Sequence, residues 1–130
     1  MAKKFGDLIY SPEVAAGEAV SKVETHTPKI EAPDEVKAGE PFYIKIKVGP
    51  HPNTLQHSIR WIEVYFEEEG RAFNPIMLSR IHLEPELVEP EVTLKLVLKK
   101  SGVIYALEYC NLHGVWEGRK AITCLLYTSP

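Results

Sequence analysis

Apolar positions recur along this chain mostly with a period of two. From Phe42 to Val48, Phe42, Ile44, Ile46 and Val48 alternate with Tyr43, Lys45 and Lys47. That is the pattern of a strand with one face in a core and the other in water. From Ser58 to Phe66, Ile62, Val64 and Phe66 share a face, and Arg60 joins that face near the strand's beginning. From Glu91 to Lys100, Val92, Leu94, Leu96 and Leu98 line up with lysines mostly opposite. Another strand is predicted from Val103 to Cys110, and Ser101-Gly102 ahead of it predicts a tight hairpin turn. Lys120 to Leu126 closes the series, and the cluster Lys37 to Pro41 is a turn just ahead of a strand. Residues 12–23 predict one short helix, weakened by Gly17 within it. Short strands separated by Gly/Pro turns predict an all-β chain, an antiparallel β-sandwich or barrel with a short helical or irregular N-terminal segment. No repeat or linker divides residues 1–130, so a single domain is expected.

Composition supports that picture and narrows the chemistry. Hydrophobic residues make up 45% of the 130. A domain of this size buries roughly two-thirds of the surface its unfolded chain exposes, so folding alone requires no staple. The net charge of −3, with both signs interspersed, argues against nucleic acid as a partner. No apolar stretch reaches the length of a membrane span. The two early lysines precede no long apolar run of a secretory signal, so the expected compartment is cytoplasmic. In that reducing setting Cys110 and Cys124 read as free thiols or metal ligands. Cys124 lies in an apolar strand with no His, Lys or Arg beside it and is expected to be a packed core thiol.

Cys110 is different, because His113 follows it three residues later, where a strand ends. A metal site, a nucleophile and a coincidence are all open on that pair alone. His51 and His57 bracket "HPNTLQH" between two predicted strands, and His26 sits in "ETHTP" just before the sandwich begins. Four of the five histidines thus fall in loops or at strand ends, where a sandwich displays functional groups. His82, inside a possible strand, is assigned no role. Four imidazoles and one thiolate exceed the four ligands of structural zinc and the three of catalytic zinc. They suit iron better and leave one octahedral position open.

The segments "ETHTPKIEAP", "GPHPNTLQHSIRWIEVYF", "EPEVT" and "EYCNLHGVWE" resemble the small one-iron (neelaredoxin-like) superoxide reductases, from about Glu24 to Ile122. The resemblance implies an immunoglobulin-like β-sandwich. It implies one mononuclear iron per chain, cycling between Fe(2+) and Fe(3+), with His26, His51, His57 and His113 as ligands in a plane and Cys110 as the axial thiolate. Glu24 matches the glutamate that takes the sixth position in the oxidised resting state, a part in the catalytic cycle. The implied activity is the one-electron reduction of superoxide to hydrogen peroxide. No Cys-x-x-Cys pair is present, so the second iron centre of the two-iron relatives is not expected. The family's usual external electron donor is rubredoxin, and members of this size are commonly homotetramers.

One residue departs from the family pattern. Where Glu-Lys-His is common, this chain reads Glu24-Thr25-His26. Either that lysine is dispensable or another leans in, with Lys22 and Lys29 nearest in sequence. Trp61 and Trp116 are expected to pack near the site as an apolar wall. Backbone N–H groups of Leu112 and His113 are placed to hydrogen-bond the Cys110 sulfur. The main rival is a blue-copper-like electron-transfer protein on a β-sandwich. It would want a weak methionine ligand soon after the Cys and His, and the only methionines are Met1 and Met77. A structural zinc module and a Cys–His hydrolase explain fewer of the histidines.

Overall fold

The computed structural model describes residues 2–126. Among the described residues, eight strands form two sheets: β1 (Lys29–Glu31), β2 (Glu35–Lys37), β3 (Pro41–Lys47), β4 (Ile59–Glu68), β5 (Ile76–His82), β6 (Glu91–Val97), β7 (Gly102–Cys110) and β8 (Gly114–Leu125). A three-stranded sheet has the order β1-β3-β6 and a five-stranded one the order β2-β8-β7-β4-β5. Pairing is antiparallel throughout the named strands except for β2, which runs parallel to the end of β8. No helix among the described residues is long and apolar enough to cross a membrane.

The alternating residues supply the core. Ile44 and Ile46 of β3 meet Ile62, Val64 and Phe66 of β4, Ile104 and Ala106 of β7, and Ile122 of β8, all almost completely buried. Val92, Leu94 and Leu96 of β6 pack against that cluster. Full burial of each such aliphatic or aromatic side chain contributes about 1.5–3 kcal/mol, which is what holds the two sheets face to face.

Several expectations change. β6 pairs with β3 and β7 with β4, so Ser101-Gly102 does not close a hairpin but carries the chain from one sheet to the other. Gly102 is there for a close approach: a Cβ on it would lie 2.7 Å from the Phe66 ring and closer still to the Glu67 carbonyl oxygen. In β4 the register shifts between Ile59 and Trp61, leaving Arg60 as the extra residue of a bulge. The bulge changes the phase, so Ile59 is buried while Arg60 is only half-buried and turns to the Ser58 hydroxyl and the Leu55 carbonyl. The N-terminal helix begins later than predicted. A 3-10 stretch from Gly17 to Lys22 runs into a single α-helical turn, α1 (Val23–His26). The last strand starts at Gly114 rather than near Lys120.

Candidate metal centre

One end of the sandwich gathers four short pieces of chain. β7 ends at Cys110, and a turn through His113 leads into β8. The loop between β3 and β4 holds His51 and His57, and α1 ends at His26. Asn111 ties two of these pieces together. Its side-chain oxygen accepts from the Ser58 N–H at 2.9 Å, and its amide nitrogen donates to the Gln56 carbonyl at 2.8 Å. An amide can donate and accept at once, so one side chain fixes the His57 loop against the end of the Cys110 strand. The loop also closes on itself, because Thr54 and His57 exchange backbone hydrogen bonds and the Thr54 hydroxyl accepts from the His57 N–H at 3.0 Å.

The four imidazoles form a closed circuit. Ring centroids are 4.8 Å apart for His26–His51, 4.6 Å for His51–His57, 5.1 Å for His57–His113 and 4.9 Å for His113–His26. Each ring stands steeply to its neighbours, at 68° to 90°. The Cys110 sulfur is fully buried, 3.4 Å from His51 Nε2 and 3.6 Å from His113 Nδ1. One donor atom from each of the five residues lies within 4.8 Å of all the others. Two nitrogens on opposite sides of an ion, each about 2.1 Å from it, are about 4 Å apart, so the cluster has the dimensions of a metal site.

Protonation fits a metal as well. His26 Nδ1 faces the Lys22 carbonyl at 3.2 Å and His51 Nδ1 the Pro52 carbonyl at 2.7 Å. A carbonyl only accepts, so both Nδ1 atoms carry the proton and both Nε2 atoms are left unprotonated. The Thr25 hydroxyl joins the first contact, 2.8 Å from His26 Nδ1, and donates to the same Lys22 carbonyl. The Nε2 atoms of His26 and His57 are buried with no hydrogen-bond partner. Buried polar atoms are seldom left so, and a ligated ion is the partner these two lack. Burial, then the charges of His51 and His113, hold His26 down to about 4, and burial first of all lowers His51 and His113 too. These three imidazoles are neutral at pH 7, as ligands must be. Burial raises the Cys110 thiol, while the N–H groups of Leu112 and His113 hydrogen-bond the sulfur and favour the thiolate. These are the two donors the Cys-x-x-His spacing suggested.

Glu24 is outside the cluster. It lies exposed on α1, two residues before His26, and two positions along a helical turn point to different sides. His82 is at the end of β5, with its Nε2 3.9 Å from a Glu84 carboxylate oxygen. Met77 is exposed on the edge strand β5, opposite Tyr65 and so toward the other end of β4 from Ile59, which pairs with Cys110. Trp116 is buried, 5.4 Å from the His26 ring, as a wall of the site should be. Trp61 is not part of that wall. It pairs in register with Tyr109, which points to the opposite face of β7 from Cys110, and its ring lies 5.8 Å from the Tyr109 ring. Of the two lysines, Lys22 acts electrostatically on His26, His51 and His113, whereas Lys29 is taken into β1 opposite Lys47. Beside His113, Lys22 lines a hollow of about 490 Å³ with Tyr10, Glu18, Leu112 and Trp116.

Two groups near the cluster have no sequence signature. Asn111 was hidden within the motif, and its only signal is a two-way hydrogen-bonding residue directly after a strand-end cysteine. Glu108 is buried beneath Cys110 on the same face of β7 with both carboxylate oxygens unpartnered, and burial pushes it up to about 9. It is therefore an uncharged carboxylic acid at neutral pH.

Residues 18–119 match the model of the desulfoferrodoxin family. A superoxide reductase of Pyrococcus horikoshii is 44% identical over 103 residues, covering 74% of this chain and 85% of that protein. Neelaredoxin of Megalodesulfovibrio gigas is 38% identical over 115 residues, 78% of this chain and 88% of that one. Among solved structures, the superoxide reductase (neelaredoxin) of Ignicoccus hospitalis is 64% identical, with a TM-score of 0.89 over 95% of this chain and all of that one.

Proposed function

The chain belongs to the desulfoferrodoxin family, and from that premise we propose that the cluster at the end of the sandwich is an iron centre at which superoxide is reduced to hydrogen peroxide. The protein is a superoxide reductase. The observation that carries the assignment of the site is the closed circuit of four imidazoles over one buried thiol, with two Nε2 atoms left without any other partner. His26, His51, His57, His113 and Cys110 would hold one iron among them. Bound there, iron would supply the single electron and a positive centre that draws the anion.

This chain's own residues do the rest. Cys110, fixed by β7 and by the Leu112 and His113 N–H groups, presents its sulfur from inside the protein. An incoming anion is thereby confined to the outer side. The neutral imidazoles leave the positive charge of the centre uncompensated apart from the thiolate. Lys22 adds a cation at that rim and stands in for the lysine that Thr25 lacks. Thr25 takes a different part, its hydroxyl buttressing the His26 tautomer through the Lys22 carbonyl. Glu24 would serve as a further ligand of the oxidised centre, as the family resemblance implies. Its exposed placement on a one-turn helix means that α1 must shift to bring it in and release it again. Electrons would come from a separate rubredoxin-like protein, residues 1–130 would act as one domain, and four chains would assemble in the cytoplasm.

The blue-copper-like reading loses to this one. It has no use for two of the four imidazoles in the circuit, and Met77 lies opposite Tyr65, toward the other end of β4 from the strand end that pairs with Cys110. Superoxide generated in a pulse against the reduced protein, with metal measured on the same sample, tests the proposal. The expected result is about one iron per chain and second-order loss of superoxide without dioxygen release. Purified protein that neither holds nor takes up iron, or that evolves dioxygen as it consumes superoxide, would contradict it.

A further inference from the structure

Residues 1–17 lie ahead of the region that matches the family model, yet part of this segment rests on the tryptophan that backs the donor group. Tyr10 joins the edge of β8 as an isolated parallel bridge to Trp116. Its N–H donates to the Val115 carbonyl at 3.0 Å, and its carbonyl accepts from the Glu117 N–H at 2.8 Å. The Tyr10 ring stacks on Trp116 with centroids 4.9 Å apart and planes 29° apart. The other neighbour of that indole is the His26 ring, at 5.4 Å and 38°. The indole N–H donates to the His113 carbonyl at 3.0 Å. Trp116 therefore touches two of the candidate ligand residues, one through its ring and one through its N–H, and Tyr10 sits over it.

The turn below is shaped to admit Tyr10. Gly114, directly after His113, has φ of +85°, and a Cβ there would meet Tyr10 Cε2 at 3.4 Å. A larger residue would be strained by the backbone and would crowd the tyrosine. Downstream, Glu13 forms an ion pair with Arg119 of β8 at 2.9 Å. The pair is exposed, so it adds little energy, but it keeps the segment along the β8 edge.

The geometry points to Tyr10 as a positioning residue of the metal centre: the N-terminal strap clamps Trp116, and Trp116 in turn fixes the plane of His26 and the turn that carries His113. The inference rests on the reading that a metal sits among the five donors. A stacked aromatic pair contributes roughly 0.5–1.5 kcal/mol beyond the area it buries. Outer partners that orient a ligand commonly change metal affinity about 10–100-fold when lost. The strap thus acts on how firmly the centre holds its metal and on the ligand field, with no contact of its own to the metal or the substrate.

The test compares the iron-loaded wild type, Tyr10→Ala and Tyr10→Phe. Three quantities are read: the rate of iron release to a chelator, the ferric thiolate absorption band, and the urea midpoint of each metal-free protein. Tyr10→Ala is expected to release iron about tenfold faster and to shift the band, in keeping with the loss of an orienting partner. Tyr10→Phe keeps the stack and should stay within about twofold of wild type. The metal-free midpoints should differ much less than the release rates. Unchanged release and band in Tyr10→Ala would overturn the inference. So would a drop in metal-free stability with unaltered release, which marks the strap as ordinary packing. Wild-type protein that holds no iron would sink this inference and the proposed function together, whereas iron-loaded wild type that reduces superoxide, with Tyr10→Ala unaffected, sinks this one alone.

Discussion

The two cysteines are alike in kind and unlike in setting: both are free, both belong to the end of a strand in the same sheet, and their surroundings share almost nothing. Cys110 is fully buried at the last position of β7, where the chain turns and exposes backbone N–H groups to the sulfur. Cys124 lies near the end of β8, half-buried, with its thiol 3.6 Å from the Leu98 carbonyl and its own N–H bonded to the Ser101 hydroxyl. The N–H groups beside Cys110 favour its thiolate, whereas Cys124 donates its own S–H to the Leu98 carbonyl. Nitrogen donors complete the contrast, because His51 and His113 reach Cys110 at 3.4 and 3.6 Å. Reactivity here is assigned by what the loops bring to a sulfur, not by burial.

Replacing Cys110 breaks that contrast most severely. Cys110→Ser keeps the volume but offers a hard, weakly acidic oxygen where a soft thiolate stood. Loss of an outer partner alone costs 10–100-fold, so loss of the thiolate itself should lower the rate with superoxide by roughly a hundredfold or more. The ferric thiolate band should vanish from the absorption spectrum. If stopped-flow traces and spectrum both survived the substitution, Cys110 would not be a ligand.

The second effect belongs to the imidazoles that surround Cys110 and have no counterpart near Cys124. In the folded metal-free protein His26 stays neutral down to about 4, against an ordinary value of 6.5. The unfolded chain takes up that proton first as pH falls. Stability is therefore complete above about 6.5 and is lost as pH drops toward 4, by about 3 kcal/mol for a gap of this size. His51 and His113 are lowered too and push in the same direction. Urea titrations of the metal-free protein at pH 7 and pH 4 measure the loss, and His26→Gln should make it smaller. An equal loss in His26→Gln would place the acid sensitivity elsewhere. Glu108 works from the other side, since a carboxyl raised to about 9 withdraws stability as pH climbs from 4.5.

The contrast between the cysteines was legible before the structure, and the reason is chemical. A Cys-x-x-His at a strand end, with two more histidines in one loop, leaves few ways to satisfy all the donors. The alternation of β3, β4, β6 and β7 was legible because one face of each is in the core. What period two does not carry is the partner. Leu96 and Ile104 both point inward, but their strands lie in different sheets, so the hairpin expected at Ser101-Gly102 was a crossover. The Arg60 bulge was equally silent, since one extra residue changes the phase without changing composition. The strap was illegible for a third reason. Tyr10 acts through a single bridge to a residue more than a hundred positions away, and no local pattern encodes such a contact.

Charge at the rim gives a smaller effect than either ligand or proton. Lys22→Ala should slow the second-order reaction with superoxide several-fold and flatten its dependence on ionic strength, while Lys29→Ala should leave both nearly unchanged. The difference follows from position, since Lys22 acts on three of the imidazoles and Lys29 pairs into β1. Rates measured across a salt series decide it. Equal behaviour of the two variants would remove Lys22 as the stand-in for the lysine missing at Thr25.

The smallest effect sharpens the comparison from the other side. Cys124→Ala removes one sulfur from the margin of the core and one weak contact to the Leu98 carbonyl. Its backbone N–H still bonds the Ser101 hydroxyl, and its register with Val36 of β2 depends on the main chain alone. Neither is touched by the substitution. A half-buried site can relax into a small cavity more easily than the interior, so the cost should be about 1 kcal/mol or less. Iron content, the thiolate band and the rate with superoxide should match wild type, because no imidazole is near this sulfur to transmit the change. Thermal unfolding together with metal analysis checks both halves. A drop in iron content would mean that β8 couples its far end to the turn at Gly114, and that the division between a structural and a chemical cysteine is wrong.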